Sequence, residues 1–320
     1  MAKQSVKKVV VLGTGGTIAG TAASAGDNIG YTAAQLGVAQ LLDAIPALGA
    51  TLGGRAIVTE QVAQLDSKDM SFAIWQQLFS RVAHWLAQPE VQGVVITHGT
   101  DTLEETAYFL QAALNPAKPV VLTCAMRPAT AVTPDGPQNV LDALAVAMHP
   151  GARGVVAVCA GAIHGAFDVQ KVHPYQINAF SSGDAGVLGY VEEGRLRLMR
   201  NWPVAEAGSA QPTIETIVKA TQWPRVEIVM NYAGATGAMV QALVAQGVRG
   251  LVVAATGNGT LHHDLEAALL AAQRAGVKVV RASRCPNGRV LGQSGDAIAD
   301  SQGLSAVKAR VALMLALMSA

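Results

Sequence analysis

The sequence predicts an α/β protein: a larger N-terminal, mainly parallel-sheet domain followed by a smaller C-terminal α/β domain. Three observations carry this expectation. Short β-branched runs alternate with segments of helical periodicity, a pattern that yields parallel strands joined by crossover helices covering both faces of a sheet. The alternation breaks between Arg200 and Arg225, where three prolines flank a polar middle, and resumes afterwards. The length of 320 residues also exceeds the size at which one core usually divides. We therefore expect an N-terminal domain over 1–201, a linker over 202–224 and a C-terminal domain over 225–320.

Strands are expected at Val9–Leu12, Val94–Thr97, Val120–Thr123 and Val155–Val158, then at Val226–Met230, Leu251–Ala254 and Val277–Val280. Between them, Phe72, Trp75, Leu78, Phe79, Val82 and Leu86 recur at helical spacing. Asn139–Met148, Asp264–Ala275 and Val307–Met318 read the same way. No internal repeat or low-complexity tract interrupts either part.

Composition narrows the class of partner. The chain is 51% hydrophobic, with a formal net charge of +1 and no long basic run. Nucleic acid is a poor fit, and a neutral or zwitterionic small molecule suits this balance better. Cys124, Cys159 and Cys285 are odd in number and far apart in sequence, each in an apolar or strand-like run, and read as buried, reduced thiols. The opening "MAKQSVKKVVVLG" has neither a signal-peptide core nor a membrane span. A cytoplasmic protein without membrane partners is the expectation; an exported form would need residues upstream.

The first strand runs into "VVVLGTGGTIAG", Val9 to Gly20. A dinucleotide loop would need glycine where Ile18 stands, and a phosphate loop would need lysine where Thr21 stands. What remains is a strand leaving Thr14 and Thr17 at the carboxyl edge of a parallel sheet, where ligands bind. Glycines there allow close backbone approach, and free amides beside a hydroxyl could form an oxyanion hole. The plainer alternative is a small-residue turn.

"VVITHGTDTLEETAYFL", Val94 to Leu110, repeats the geometry. Thr102 and Glu105 have capping-box spacing, which sets Thr100 and Asp101 just before the helix. Asp101 could merely cap it. A threonine hydroxyl is a weak nucleophile that needs a partner to take its proton. "FDVQKVHP" offers Lys171 after a later strand, though a surface charge is the plainer reading of a lone lysine.

Together these segments resemble the bacterial L-asparaginases, the threonine-dependent family that includes glutaminase-asparaginases. "TGGTIAG" at Thr14–Gly20 and "HGTDTLEETAYFL" at His98–Leu110 look like its two signature segments. Similarity continues through "AMRP" at Ala125–Pro128, "DGPQN" at Asp135–Asn139, "GNG" at Gly257–Gly259, "SRCPNG" at Ser283–Gly288 and "KARV" at Lys308–Val311. The resemblance implies a homotetramer with sites at the dimer interface, and hydrolysis of L-asparagine or L-glutamine without cofactor. It assigns Thr17 as nucleophile, Tyr31 on a lid as its support, and Thr100, Asp101 and Lys171 as a second reactive group. Ser67 would bind the substrate α-carboxylate and Asp101 its α-ammonium, with Asn258 supplied across the interface.

The match departs at two points. Lys68 occupies a substrate-binding position where the family usually carries glutamine or glutamate, replacing an acceptor with a cation that only donates. The stretch after "SRCPNG" is short and carries no match to the glutamate that the family supplies from the adjacent subunit; Asp296 lies nearby. These departures keep open a non-catalytic amino-acid sensor on the same scaffold. No metal is expected: His262 and His263 are adjacent and should point to different helix faces, and no carboxylate completes a ligand spacing.

Overall fold

The computed structural model describes residues 6–203 and 212–319. It forms two compact units, Met1–Glu206 and Ala207–Ala320. Part of the expected linker, residues 204–211, lies outside the described residues.

In the first unit the strands are β1 (Lys8–Gly15), β2 (Ala56–Leu65), β3 (Val91–Thr97), β4 (Pro119–Thr123), β5 (Gly154–Cys159) and β6 (Ala162–Gly165). A separate ladder pairs β7 (Gln170–Lys171) with β8 (Phe180–Ser181), and β9 (Gly189–Glu192) and β10 (Arg195–Leu198) follow. The main sheet runs in the order β10-β9-β6-β5-β4-β3-β1-β2. From β2 to β5 every neighbour is parallel, whereas β6, β9 and β10 add an antiparallel edge. Val9–Leu12, Val94–Ile96 and Val120–Leu122 are fully buried, as expected of strands covered on both faces.

β2 and the antiparallel edge were not expected from sequence. β2 is an edge strand, half-exposed and interrupted by Glu60, Gln61 and Gln64, so it lacks the apolar run that marks the interior strands. The β9–β10 hairpin turns on Glu193 and Gly194, both at positive φ, the backbone that a tight two-residue hairpin requires.

The helices of this unit are α1 (Val38–Asp43), α2 (Leu48–Leu52), α3 (Phe72–Leu86), α4 (Leu103–Leu114) and α5 (Gly136–Ala147). α3 spans the predicted range and begins with the Ser71 side chain accepting from the Ile74 amide. Its buried stripe meets α4, where Trp75 stacks on Phe109 at 4.9 Å and donates to Thr106 at 2.9 Å.

The second unit starts with α6 (Ile214–Lys219), capped by Thr213, inside the stretch read as linker. Its sheet is β11 (Val226–Met230), β12 (Gly250–Ala255), β13 (Lys278–Ser283) and β14 (Ala299–Asp300), all parallel in that order. α7 (Ala238–Ala245), α8 (His263–Arg274) and α9 (Ala306–Ser319) cover it. No described helix is long and apolar enough to cross a membrane. Cys124 and Cys159 are buried as expected, but Cys285 is exposed, because "SRCPNG" forms a surface turn after β13 rather than strand.

Candidate active site

The site is built where β1 and β3, neighbours in the sheet, both end in glycine turns. Gly15 and Gly16 take φ values of 100° and 86°, a left-handed region open at little cost to glycine alone. A Cβ on Gly16 would collide with the Gly99 backbone, and one on Gly99 with the Ser67 hydroxyl. The turns after β1 and β3 are thus packed backbone to backbone, and the Ser67 side chain after β2 fills the space beside Gly99. Thr14 donates to the Thr97 carbonyl at 2.9 Å and joins the two strand ends.

This packing brings Thr17, Ser67, Thr100 and Asp101 to the wall of one cavity of about 240 Å³, together with Tyr31 and Lys171. Thr17 and Thr100 are 7% and 6% exposed, so each hydroxyl sits at the bottom of an opening rather than on open surface. Thr17 Oγ1 lies 2.7 Å from Tyr31 Oη. Lys171 Nζ donates to Thr100 Oγ1 at 2.8 Å and to Asp101 Oδ1 at 2.6 Å. In this arrangement the ammonium polarises the Thr100 hydroxyl while the carboxylate holds the ammonium.

Ser67 is tied to the β3 loop twice. Its hydroxyl accepts from the Asp101 amide at 3.1 Å, and its carbonyl accepts from Thr102 Oγ1 at 2.9 Å. The second bond corrects the capping box: Thr102 is the N-cap of α4, but its side chain caps no helix amide. A tertiary acceptor has taken the hydroxyl. Asp101 likewise serves Lys171 rather than the helix. Two amides that could have lined an oxyanion hole are also committed, Gly16 to the Leu65 carbonyl and Asp101 to Ser67.

Lys68 is not brought to the cavity. Its Nζ pairs with Asp66 at 3.2 Å and its side chain is 64% exposed, because Asp66 and Asp69 flank it on the same turn. Asn258 lies in the second unit, where its amide donates to the Leu291 carbonyl and its Oδ1 accepts from the Leu291 amide. Asp296 is engaged by Arg281 at 2.6 Å, which holds its carboxyl below the usual carboxylate range after the larger effect of the Gln293 amide.

The histidine expectation needs correction. The rings of His262 and His263 stack at 4.4 Å instead of diverging, and with Asp264 they place ligand-type atoms within 4.8 Å of one another. They do so because His262 is the N-cap of α8, outside the helical spiral, with Nδ1 accepting from the Asp264 amide. His98, in contrast, is wholly buried beneath the β3 loop. Desolvation pushes its pKa down to about 4, against a raising contact from the Gly99 carbonyl, and its Nε2 has no partner among the described residues.

Sequence reasoning missed Glu104, whose carboxylate accepts from the Lys171 amide at 2.8 Å and so anchors the strand that presents the ammonium. It also missed Asn28, Ile29, Asp66, Met126, Pro174 and Tyr175, which complete the cavity wall. An acid in the first turn of a helix reads locally as a dipole partner, so only the 67-residue separation closed by folding discloses its other role.

Comparison with known proteins finds relatives over nearly the whole chain. Residues 8–204 match the family model described as asparaginase, N-terminal, and residues 225–320 match the glutaminase/asparaginase C-terminal domain. L-asparaginase 2 of Escherichia coli (strain K12) is 36% identical over 98% of this chain and 89% of its own length. A glutaminase-asparaginase of Pseudomonas fluorescens biotype A is also 36% identical, over 98% and 87%. The crystal structure of a probable cytoplasmic L-asparaginase from Campylobacter jejuni superposes with a TM-score of 0.88 at 37% identity, covering 97% of this chain and 95% of that one. With both of its domain models matched in order and a full-length structural counterpart, the chain belongs to the asparaginase family.

Proposed function

We propose that this protein is an amidohydrolase that converts L-asparagine and water to L-aspartate and ammonia. The observation that carries the reading is the convergence of Thr17 and Thr100 on one cavity, each with a distinct polar partner. Thr17 Oγ1 attacks the carboxamide carbon and forms a tetrahedral oxyanion, which the remaining loop amides stabilise. The Thr17 proton passes to Tyr31 Oη while Tyr31 gives its own proton to the departing nitrogen, and ammonia leaves as the C–N bond breaks. A water held by Thr100 and Asp101 then attacks the acyl-threonine; the C–Oγ1 bond breaks and the proton returns to Thr17. None of these steps requires a metal or an organic cofactor.

In this reading Ser67 and Asp101 receive the substrate's α-carboxylate and α-ammonium. Asn258 acts at the site of a neighbouring subunit in a homotetramer, and the protein works in the cytoplasm. The named relatives support the substrate class: one is an L-asparaginase and one a glutaminase-asparaginase. The latter favours a second reading of broader specificity, in which L-glutamine is also hydrolysed. Ammonia release from asparagine, glutamine and D-asparagine at matched concentrations decides between them. Binding of asparagine without any ammonia release would instead identify an amino-acid sensor and end the enzymatic reading. Sedimentation and cell fractionation test the assembly and the compartment.

A further inference from the structure

The ends of β4 and β5 carry an arrangement that the hydrolysis does not use. Cys124 directly follows β4 and Cys159 closes β5, each one step beyond the register pair Thr123 and Val158. Neighbouring strands lie about 4.8 Å apart, inside the window of about 4.4–6.8 Å between Cα atoms that a disulfide spans. The two Sγ atoms are 3.1 Å apart, and both side chains are buried.

The surrounding backbone is clasped independently of the thiols. Asn139 Nδ2 donates to the Cys124 carbonyl and Asn139 Oδ1 accepts from the Ala160 amide, both at 2.9 Å. Thr123 Oγ1 donates to the Val158 carbonyl at 2.9 Å. Closing the sulfurs to bonding distance takes about 1 Å of travel, which side-chain rotation supplies without moving the strands. The Cys159 contact and then burial push the Cys124 thiol up, so that thiol reacts slowly rather than promiscuously.

We propose that Cys124 and Cys159 are an oxidisable pair that a hydroperoxide closes to an intrachain disulfide, two residues from the cavity-lining Met126. One sulfur attacks a peroxide oxygen; the O–O bond breaks, and water or alcohol departs with the thiol proton, leaving a sulfenic acid. The second sulfur attacks the sulfenic sulfur, the S–O bond breaks, and water departs with the second thiol proton. Two thiols lose two electrons in total and the hydroperoxide gains them.

The test uses the full-length chain carrying Cys285→Ser, which removes the exposed thiol. Treatment with hydrogen peroxide is expected to lower the intact mass by two hydrogens and to yield a peptide pair linked through Cys124 and Cys159. Dithiothreitol should reverse the change, and neither Cys124→Ala nor Cys159→Ala should show it. The oxidised form should melt several degrees above the reduced form, because the link closes a 35-residue separation and restricts the unfolded chain.

Glutathione redox buffers separate geometry from oxidant access. The folded chain should form the bond with an equilibrium constant roughly tenfold or more above that of the urea-unfolded chain. Oxygen addition at either cysteine, an unchanged mass, a lower melting temperature on oxidation, or equal constants in the folded and unfolded chains would each overturn the proposal.

Discussion

The two units end their parallel sheets in glycine- and threonine-rich turns, yet they spend the polar side chains there in opposite ways. After β12, Thr256 Oγ1 donates to the Thr260 carbonyl, Asn258 clasps the Leu291 backbone, and Ser283 Oγ donates to the Gly257 carbonyl. After β1 and β3, Thr17 faces Tyr31, and Thr100 and Asp101 share Lys171, with all five at a cavity wall. Side chains that satisfy neighbouring backbone groups make a stable edge. Side chains that satisfy one another across an opening leave lone pairs and protons for a ligand. One sheet-edge vocabulary thus closes on backbone groups in one unit and opens onto a cavity in the other.

The sharpest way to break this contrast is to remove the hydroxyls one at a time. Thr17→Ala should lower ammonia release from asparagine by roughly 10⁴-fold or more while the circular dichroism spectrum stays native. Turnover retained within an order of magnitude would show that the first edge is no more reactive than the second.

Next in size, Lys171→Met should lower kcat on the order of 10²- to 10⁴-fold, leaving Thr100 without its donor and Asp101 without its counter-charge. A change confined to KM would mean that the lysine binds substrate rather than acting on Thr100.

His98 sharpens the contrast through stability, since it is wholly buried at the first edge. Its folded-state pKa of about 4 lies below the ordinary 6.5, so between those values the unfolded chain holds a proton that the folded chain refuses. Stability should therefore fall as pH drops from about 6.5 towards 4, by about 3 kcal/mol in all. Denaturant titrations across that range provide the check. A slope no steeper than that of a folded His98→Gln variant would remove His98 as its source.

The smallest effect belongs to the second edge. Thr256→Val should cost about 1 kcal/mol of stability and leave the chemical step alone. A drop in kcat matching that of Lys171→Met would erase the distinction drawn between the edges.

Much of this is legible in the residues alone. The strand at Val226–Met230 and the helix at Phe72–Leu86 occur where periodicity puts them, because buried strands and amphipathic helices write their spacing locally. The antiparallel edge was not legible: its strands are four residues each and pair across a turn with little apolar signal. At the site, Thr17 and Thr100 could be placed at strand ends and Lys171 named as a candidate amine from the residues alone, and the family resemblance supplied Tyr31 and Ser67. Lys68 was assigned by position along the chain, and its side chain turned instead to Asp66, the nearer carboxylate.

What the sequence determined by itself is local: which segments alternate, which turns only glycine can make, and which hydroxyls end a strand. Those properties follow from the direction of a side chain relative to its own backbone. Tertiary structure alone decided what each polar group meets. Lys171 finds Thr100 across 71 residues, Thr102 abandons its helix for the Ser67 carbonyl, and two cysteines 35 residues apart come within 3.1 Å. Such meetings depend on strand order and loop closure, because a hydrogen bond or sulfur contact acts only over a few ångströms and carries no trace along the chain until folding brings its partners together.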